Sequence, residues 1–172
     1  MNKEKFIYAV VNGYDKFDKE YSGEAKSFYK EENFGIRNSK EIARVNGLAT
    51  EKRITEFGGK GNFVRWYYEQ YFEVKAQGKE PRCKYCNVLE KDCADYFTKL
   101  VKNGVLKRKR GQHLEVERCD AVSNKYNPEN CVLICYLCNN AKSEFISEKD
   151  FRNTIADGIR KFWEKQKIQE KQ

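Results

Sequence analysis

Two cysteine pairs, Cys83-Lys84-Tyr85-Cys86 and Cys135-Tyr136-Leu137-Cys138, bracket residues 87–134 and constrain the fold more than any other feature of the chain. A CxxC turn aims two thiolates at one ion, and a second turn from elsewhere in the sequence closes a tetrahedral shell. The spacing predicts one structural zinc ion held by Cys83, Cys86, Cys135 and Cys138. A redox pair would account for one such turn, but not for two in a short chain. Disulfides are disfavoured by the odd count of seven cysteines and by an N-terminus that does not read as a signal peptide. The 35% charged composition points the same way, since it suits an intracellular, cytoplasmic protein. Cys93, Cys119 and Cys131 read as small apolar fillers.

The sequence around the second pair narrows the reading. From His113 the chain runs His-Leu-Glu-Val-Glu-Arg-Cys-Asp, then Asn124-Lys-Tyr-Asn-Pro-Glu-Asn130. Cys131-Val-Leu-Ile-Cys-Tyr-Leu-Cys138 and Asn139-Asn-Ala-Lys142-Ser143-Glu144 follow. Over residues 81–150 this order resembles the HNH (ββα-metal) endonucleases. In that family a strand delivers an acidic metal ligand followed by a catalytic His. A loop Asn then leads into a second strand, and a short helix returns another metal ligand. The matching positions are Glu117 for the acid, Arg118 for the His, Asn130 for the central Asn and Asn139 for the helix ligand.

The resemblance implies an α+β fold. A ββα-metal core stapled by zinc would span residues 81–146, with a mainly helical N-terminal extension over 1–80 and a C-terminal helix over 147–172. It implies a metal-dependent endonuclease that hydrolyses phosphodiester bonds in double-stranded DNA. A type II restriction enzyme is the first expectation; a phage or mobile-element nicking or homing enzyme is the alternative, as is a zinc-stabilised DNA-binding protein whose catalysis has decayed. The carboxylate of Glu117 and the amide oxygen of Asn139 make a hard, open shell suited to Mg²⁺ or Mn²⁺. A restriction enzyme cutting a palindrome needs two sites related by a two-fold, so that role carries the expectation of a homodimer.

Arg118 is the departure from the family pattern, shared with restriction-enzyme and phage-type members. A guanidinium keeps its proton and has no acceptor, so it cannot deprotonate water. It can clamp the scissile phosphate through a planar pair of donors. Three candidates remain for activating the water. Tyr85 sits in the first knuckle, and a nearby cation would have to lower its phenol from about 10. His113 is the only imidazole, but four strand residues put it roughly 13 Å from Glu117. The third is a water acidified by the ion itself.

A net charge of +8 and a pI near 9.0 suit a polyanionic partner. Lys107, Arg108, Lys109 and Arg110 lead towards Glu117 and, with His113 and Lys142, read as phosphate contacts. No apolar run approaches the roughly 18 residues of a membrane span, and no membrane partner is expected.

Local pattern supplies further expectations. Residues 105–118 alternate, with Leu114 and Val116 on one face and His113, Glu115 and Glu117 on the other. Gly111 offers a hairpin turn between two β elements. Pro128 closes the loop before a strand at 131–134, and a short helix over 138–143 carries Asn139 in its first turn. Ser147-Glu-Lys-Asp150 resembles a capping box opening a helix with Phe151, Ile155, Ile159 and Phe162 on one stripe. Upstream, a helix over 39–45 ends at Asn46-Gly47. The run Gly58-Gly59-Lys-Gly61 reads as a flexible turn before an aromatic helix over 63–76.

Overall fold

Aromatic packing builds the first of two units into which the chain divides in the computed structural model, which describes residues 1–107 and 110–169. This unit comprises Met1–Gly78 with Tyr126–Pro128. Its elements are α1 (Lys3–Glu20), α2 (Ala25–Lys30), the short antiparallel strands β1 (Glu32–Asn33) and β2 (Ile36–Arg37), α3 (Asn38–Leu48) and α4 (Glu51–Glu56). Then come α5 (Lys60–Tyr67), a π-helical turn (Tyr68–Phe72) and α6 (Glu73–Ala76). Phe6, Phe17, Phe63, Tyr67, Tyr71 and Phe72 are at most 1% exposed, with Phe6 edge-on to Phe72 at 5.0 Å. Burial of each such ring contributes about 1.5–3 kcal/mol.

The helix predicted over 39–45 runs on through Asn46 and Gly47 to Leu48. A glycine inside a helix costs only about 1 kcal/mol, and Ile42 and Val45, buried where α3 packs on α1 and α2, outweigh it. Thr50 stops the run by capping α4, its hydroxyl accepting the Arg53 N–H at 3.5 Å. Gly58 and Gly59, at φ 70° and 129°, then make the tight turn into α5.

The second unit holds the remainder of the chain from Lys79 onward. It contains α7 (Glu90–Lys102), β3 (Glu115–Arg118), β4 (Cys131–Ile134), α8 (Tyr136–Ala141), α9 (Glu148–Asp150), a second π-helical turn (Phe151–Ile155) and α10 (Ala156–Gln169). Helices with small sheets make the chain α+β. β3 and β4 pair antiparallel, Glu115 opposite Ile134 through Arg118 opposite Cys131. Leu114 and Val116 point into the core, whereas Glu115 and Glu117 lie half-buried on the other face.

Two local expectations are corrected here. Among the described residues, no strand precedes β3 within 105–114. The amphipathic helix α7 comes first, and it turns Cys93 and Phe97 inward. Gly111 is not a hairpin turn. At φ 74°, an added Cβ would lie 2.5 Å from the Phe97 ring, so the glycine is there to let that ring approach.

Ser147 forms the capping box, accepting the Asp150 N–H at 3.1 Å and donating to Asp150 Oδ2 at 2.7 Å. Phe151 is buried as predicted, but the buried positions after it are Ala156 and Trp163 rather than Ile155, Ile159 and Phe162, because the π-helical turn inserts one residue into the helical repeat. Trp163 packs edge-on against Tyr96 at 5.3 Å and Phe97 at 6.3 Å, which fixes α10 on α7. Among the described residues, no helix is long and apolar enough to cross a membrane.

Candidate functional site

The first cysteine pair lies in a tight reversal. Cys83 N–H donates to Val88 O at 2.9 Å, Asn87 N–H to Cys83 O at 3.0 Å, and Asn87 takes a left-handed φ of 62°. Lys84 N–H donates to Leu133 O at 2.9 Å, which docks the reversal on β4. The second pair opens α8: Cys135 is its N-cap, and its Sγ accepts the Cys138 N–H at 3.5 Å.

These two turns bring the sulfurs of Cys83, Cys86, Cys135 and Cys138 within 4.8 Å of one another, all buried. Tetrahedral zinc with Zn–S near 2.3 Å requires sulfurs about 3.8 Å apart. The Cys86–Cys135 separation is 3.6 Å, far beyond a disulfide bond, and every cysteine in the chain is free. Without a cation the cluster is electrostatically strained. The Cys135 thiol is pushed down, its thiolate favoured by hydrogen bonds from Cys138, Cys83 and Cys86. Cys138 and Cys86 are pushed up in turn, chiefly by Cys135. A divalent ion would let all four thiolates coexist, so the residues fit a structural metal such as zinc. Cys93, read as filler, is fully buried beside this cluster and is held protonated first by its contact with Cys135 and then by burial.

The cysteine cluster also sets the face next to it. α8 packs on β3, and Asn139 N–H bonds to Cys135 O at 2.9 Å, so its position in the helix is tied to the cysteine turn. The Asn139 side chain reaches β3, where its Nδ2 donates to Glu115 Oε2. Glu117 lies two residues along on the same face. Strand alternation assigns Arg118 to the opposite face, yet its Nε lies 3.5 Å from Glu117 Oε1, so the guanidinium curls back towards the acids. Both side chains are about four-fifths buried, at 20% and 17% exposure. Asn130 braces the loop after β3, accepting the Asp120 N–H at 2.7 Å and donating to Asp120 O at 3.0 Å and Lys125 O at 2.9 Å.

The other predicted residues have surroundings of their own. Tyr85 is buried edge-on to Phe151 at 5.1 Å, with the Arg152 guanidinium 5.8 Å from its ring centre. Its phenol is raised well above the ordinary value, by burial first and then by Cys119 and Glu148, the reverse of what a base requires. His113 is 57% exposed, with Nδ1 3.4 Å from Glu90 Oε1. Glu90 itself is buried and also accepts the Leu114 N–H at 2.9 Å. Lys107 and Arg110 are exposed, and Arg108 and Lys109 lie outside the described residues. Lys142 is the C-cap of α8, half-buried near Cys119.

Glu115 and Glu90 are the polar residues that sequence reasoning passed over. Acids are common on an exposed strand face or at a helix start, so neither stood out. The available signal was position: Glu115 precedes the predicted metal acid by two residues and therefore shares its face. No family model, curated protein or solved structure matches the chain.

Proposed function

We propose that this protein is a metal-dependent endonuclease of the HNH type, which hydrolyses phosphodiester bonds in double-stranded DNA. One observation supports the reading above the others. A short helix opened by Cys135 carries Asn139 onto the carboxylate face of β3, where it bonds Glu115, two residues from Glu117 on the same strand. Asn139 Oδ1 and the Glu117 carboxylate offer hard oxygens to Mg²⁺ or Mn²⁺. When bound there, the divalent ion supplies charge neutralisation at the scissile phosphate and the leaving oxygen.

Arg118 donates to the phosphate oxygens. Its Nε lies 3.5 Å from Glu117 Oε1, which brings the guanidinium to the acid proposed as metal ligand. Lys142 and the basic run before β3 hold the DNA backbone without reading its sequence. Tyr85 serves to pack the first knuckle against Phe151. A type II restriction enzyme acting as a homodimer is the specific role proposed, with a nicking or homing enzyme as its alternative.

Supercoiled plasmid incubated with the zinc-loaded protein and Mg²⁺ or Mn²⁺ tests the reading. Nicked or linear product is expected. Glu117→Ala and Asn139→Ala should abolish it while zinc content and DNA affinity stay near wild type. Cleavage by either variant would move the active site elsewhere. Wild-type protein that binds duplex DNA and leaves it intact with both metals would instead be a zinc-stabilised binding protein.

A further inference from the structure

We infer that Glu115 is a positioning residue for the divalent-ion site: it turns the Asn139 amide so that the oxygen, not the nitrogen, is offered to the ion beside Glu117. The inference rests on the nuclease reading above and adds a residue that the family pattern does not assign.

The side-chain amide of asparagine has one donor end and one acceptor end. A hard cation accepts electron pairs only from the oxygen, so an amide turned the wrong way presents hydrogens to the ion and repels it. Asn139 Nδ2 donates to Glu115 Oε2. This orientation follows from chemistry, because the opposite one would press the amide oxygen against a carboxylate oxygen. With the nitrogen committed to Glu115, the planar amide directs Oδ1 away from that acid.

Both partners are anchored. Asn139 is held in α8 by its N–H bond to Cys135 O at 2.9 Å, and Glu115 is held in β3 by pairing with Ile134. Glu115 and Glu117 stand two residues apart on one strand face, which separates their Cα atoms by about 7 Å. Glu117 is thus free to be the carboxylate ligand while Glu115 acts one shell out. Carboxylates that fix the orientation of a metal ligand are a recurrent device, and losing one costs about 10–100-fold in metal affinity.

The test uses full-length, zinc-loaded protein, titrated with Mn²⁺ and followed by the electron paramagnetic resonance of the free ion, without DNA. The Mn²⁺ concentration giving half-maximal plasmid cleavage is measured alongside. Glu115→Ala should weaken Mn²⁺ binding about 10–100-fold and raise that concentration in step, with zinc content and melting temperature unchanged. Glu115→Gln keeps an oxygen to accept the Asn139 amide and should stay within about threefold of wild type.

Asn139→Asp sets two carboxylates against each other and should bind poorly. Adding Glu115→Gln to it supplies a donor and should restore binding. Equal losses in Glu115→Gln and Glu115→Ala would make Glu115 a ligand and overturn the positioning role. Wild-type affinity in Glu115→Ala, with binding lost in Glu117→Ala, would overturn this inference and leave the nuclease reading standing. No Mn²⁺ uptake by the wild-type protein would overturn both.

Discussion

At the scale of single residues, Arg118 bears most directly on chemistry, because it occupies the place where a base is expected and cannot act as one. Its side chain bends back to within 3.5 Å of Glu117 and so carries a permanent positive charge to the acid face. Arg118→Ala should lower the cleavage rate by about 10²–10³, the scale for losing one preorganised donor to developing charge. DNA affinity should fall far less. Arg118→Lys should recover little, since an ammonium cannot reproduce the bidentate fork. Steady-state rates with plasmid checked against filter-binding affinities measure both effects, and a faster Arg118→His enzyme would sink the clamp. The placement of Glu117 and Arg118 on a strand and of Asn139 on the short helix after it was legible in the sequence, through the resemblance carried by the residues around the cysteines. Tyr85 was not. Its environment is made by Phe151, Arg152 and Cys119, which lie far along the chain, and only folding shows that they bury the phenol and raise it. Glu115 was missed for the opposite reason: strand alternation placed it correctly but could not show an amide arriving from α8.

Elements show the same division between what periodicity reveals and what packing decides. The strand at 131–134, the helix carrying Asn139 and the capping box at Ser147 follow from local chemistry, and all three occur. The α7 helix did not emerge. The weak alternation of 105–118 drew attention to strands, and the amphipathic pattern of Glu90–Lys102 was passed over. The two π-helical turns were equally hidden, and the second moves the buried positions from Ile155 and Phe162 to Ala156 and Trp163. Gly111 tests this packing. Replacing it with Ala forces a left-handed backbone on an L-residue and drives a methyl group into the Phe97 ring, which stands 2.5 Å from the ideal Cβ. The strain and the overpacking together should cost about 2–4 kcal/mol. Urea denaturation should show a lower midpoint with an unchanged slope. A midpoint equal to wild type would mean that the segment relaxes away from α7 without cost.

At the scale of the whole molecule, the cysteine cluster and the aromatic-rich core belong to different units. The four cysteines that fit zinc all lie in the unit that begins at Lys79, whereas Met1–Gly78 with Tyr126–Pro128 builds its core from aromatic rings together with aliphatic residues such as Val10, Val45 and Val64. Residues 126–128 join that first unit through specific contacts: Tyr126 N–H donates to Glu56 Oε2 at 2.6 Å, and Arg53 lies 5.0 Å from the Tyr126 ring centre. Metal binding is coupled to folding in closed cysteine sites, because the shell does not exist in the unfolded chain. A domain of this size can bury enough surface to stand without metal. Zinc removal should therefore unfold the second unit and spare the first. The chain carries its own reporters, since its two tryptophans fall one in each unit: Trp66 at 6% exposure and Trp163 at 3%. In full-length Trp66→Phe protein, a strong zinc chelator should shift the remaining Trp163 emission to the red as α10 leaves the Tyr96 and Phe97 rings. In Trp163→Phe protein the Trp66 emission should hold its wavelength under the same treatment. Cys135→Ser should reproduce the chelator result without any reagent, because it removes a thiolate from the shell while its hydroxyl can still accept the Cys138 N–H that caps α8. Simultaneous red shifts of both tryptophans would show that the two units fold as one cooperative body. A Trp163 signal unmoved by zinc loss would mean that the cysteine cluster is held by its surrounding core and not by metal.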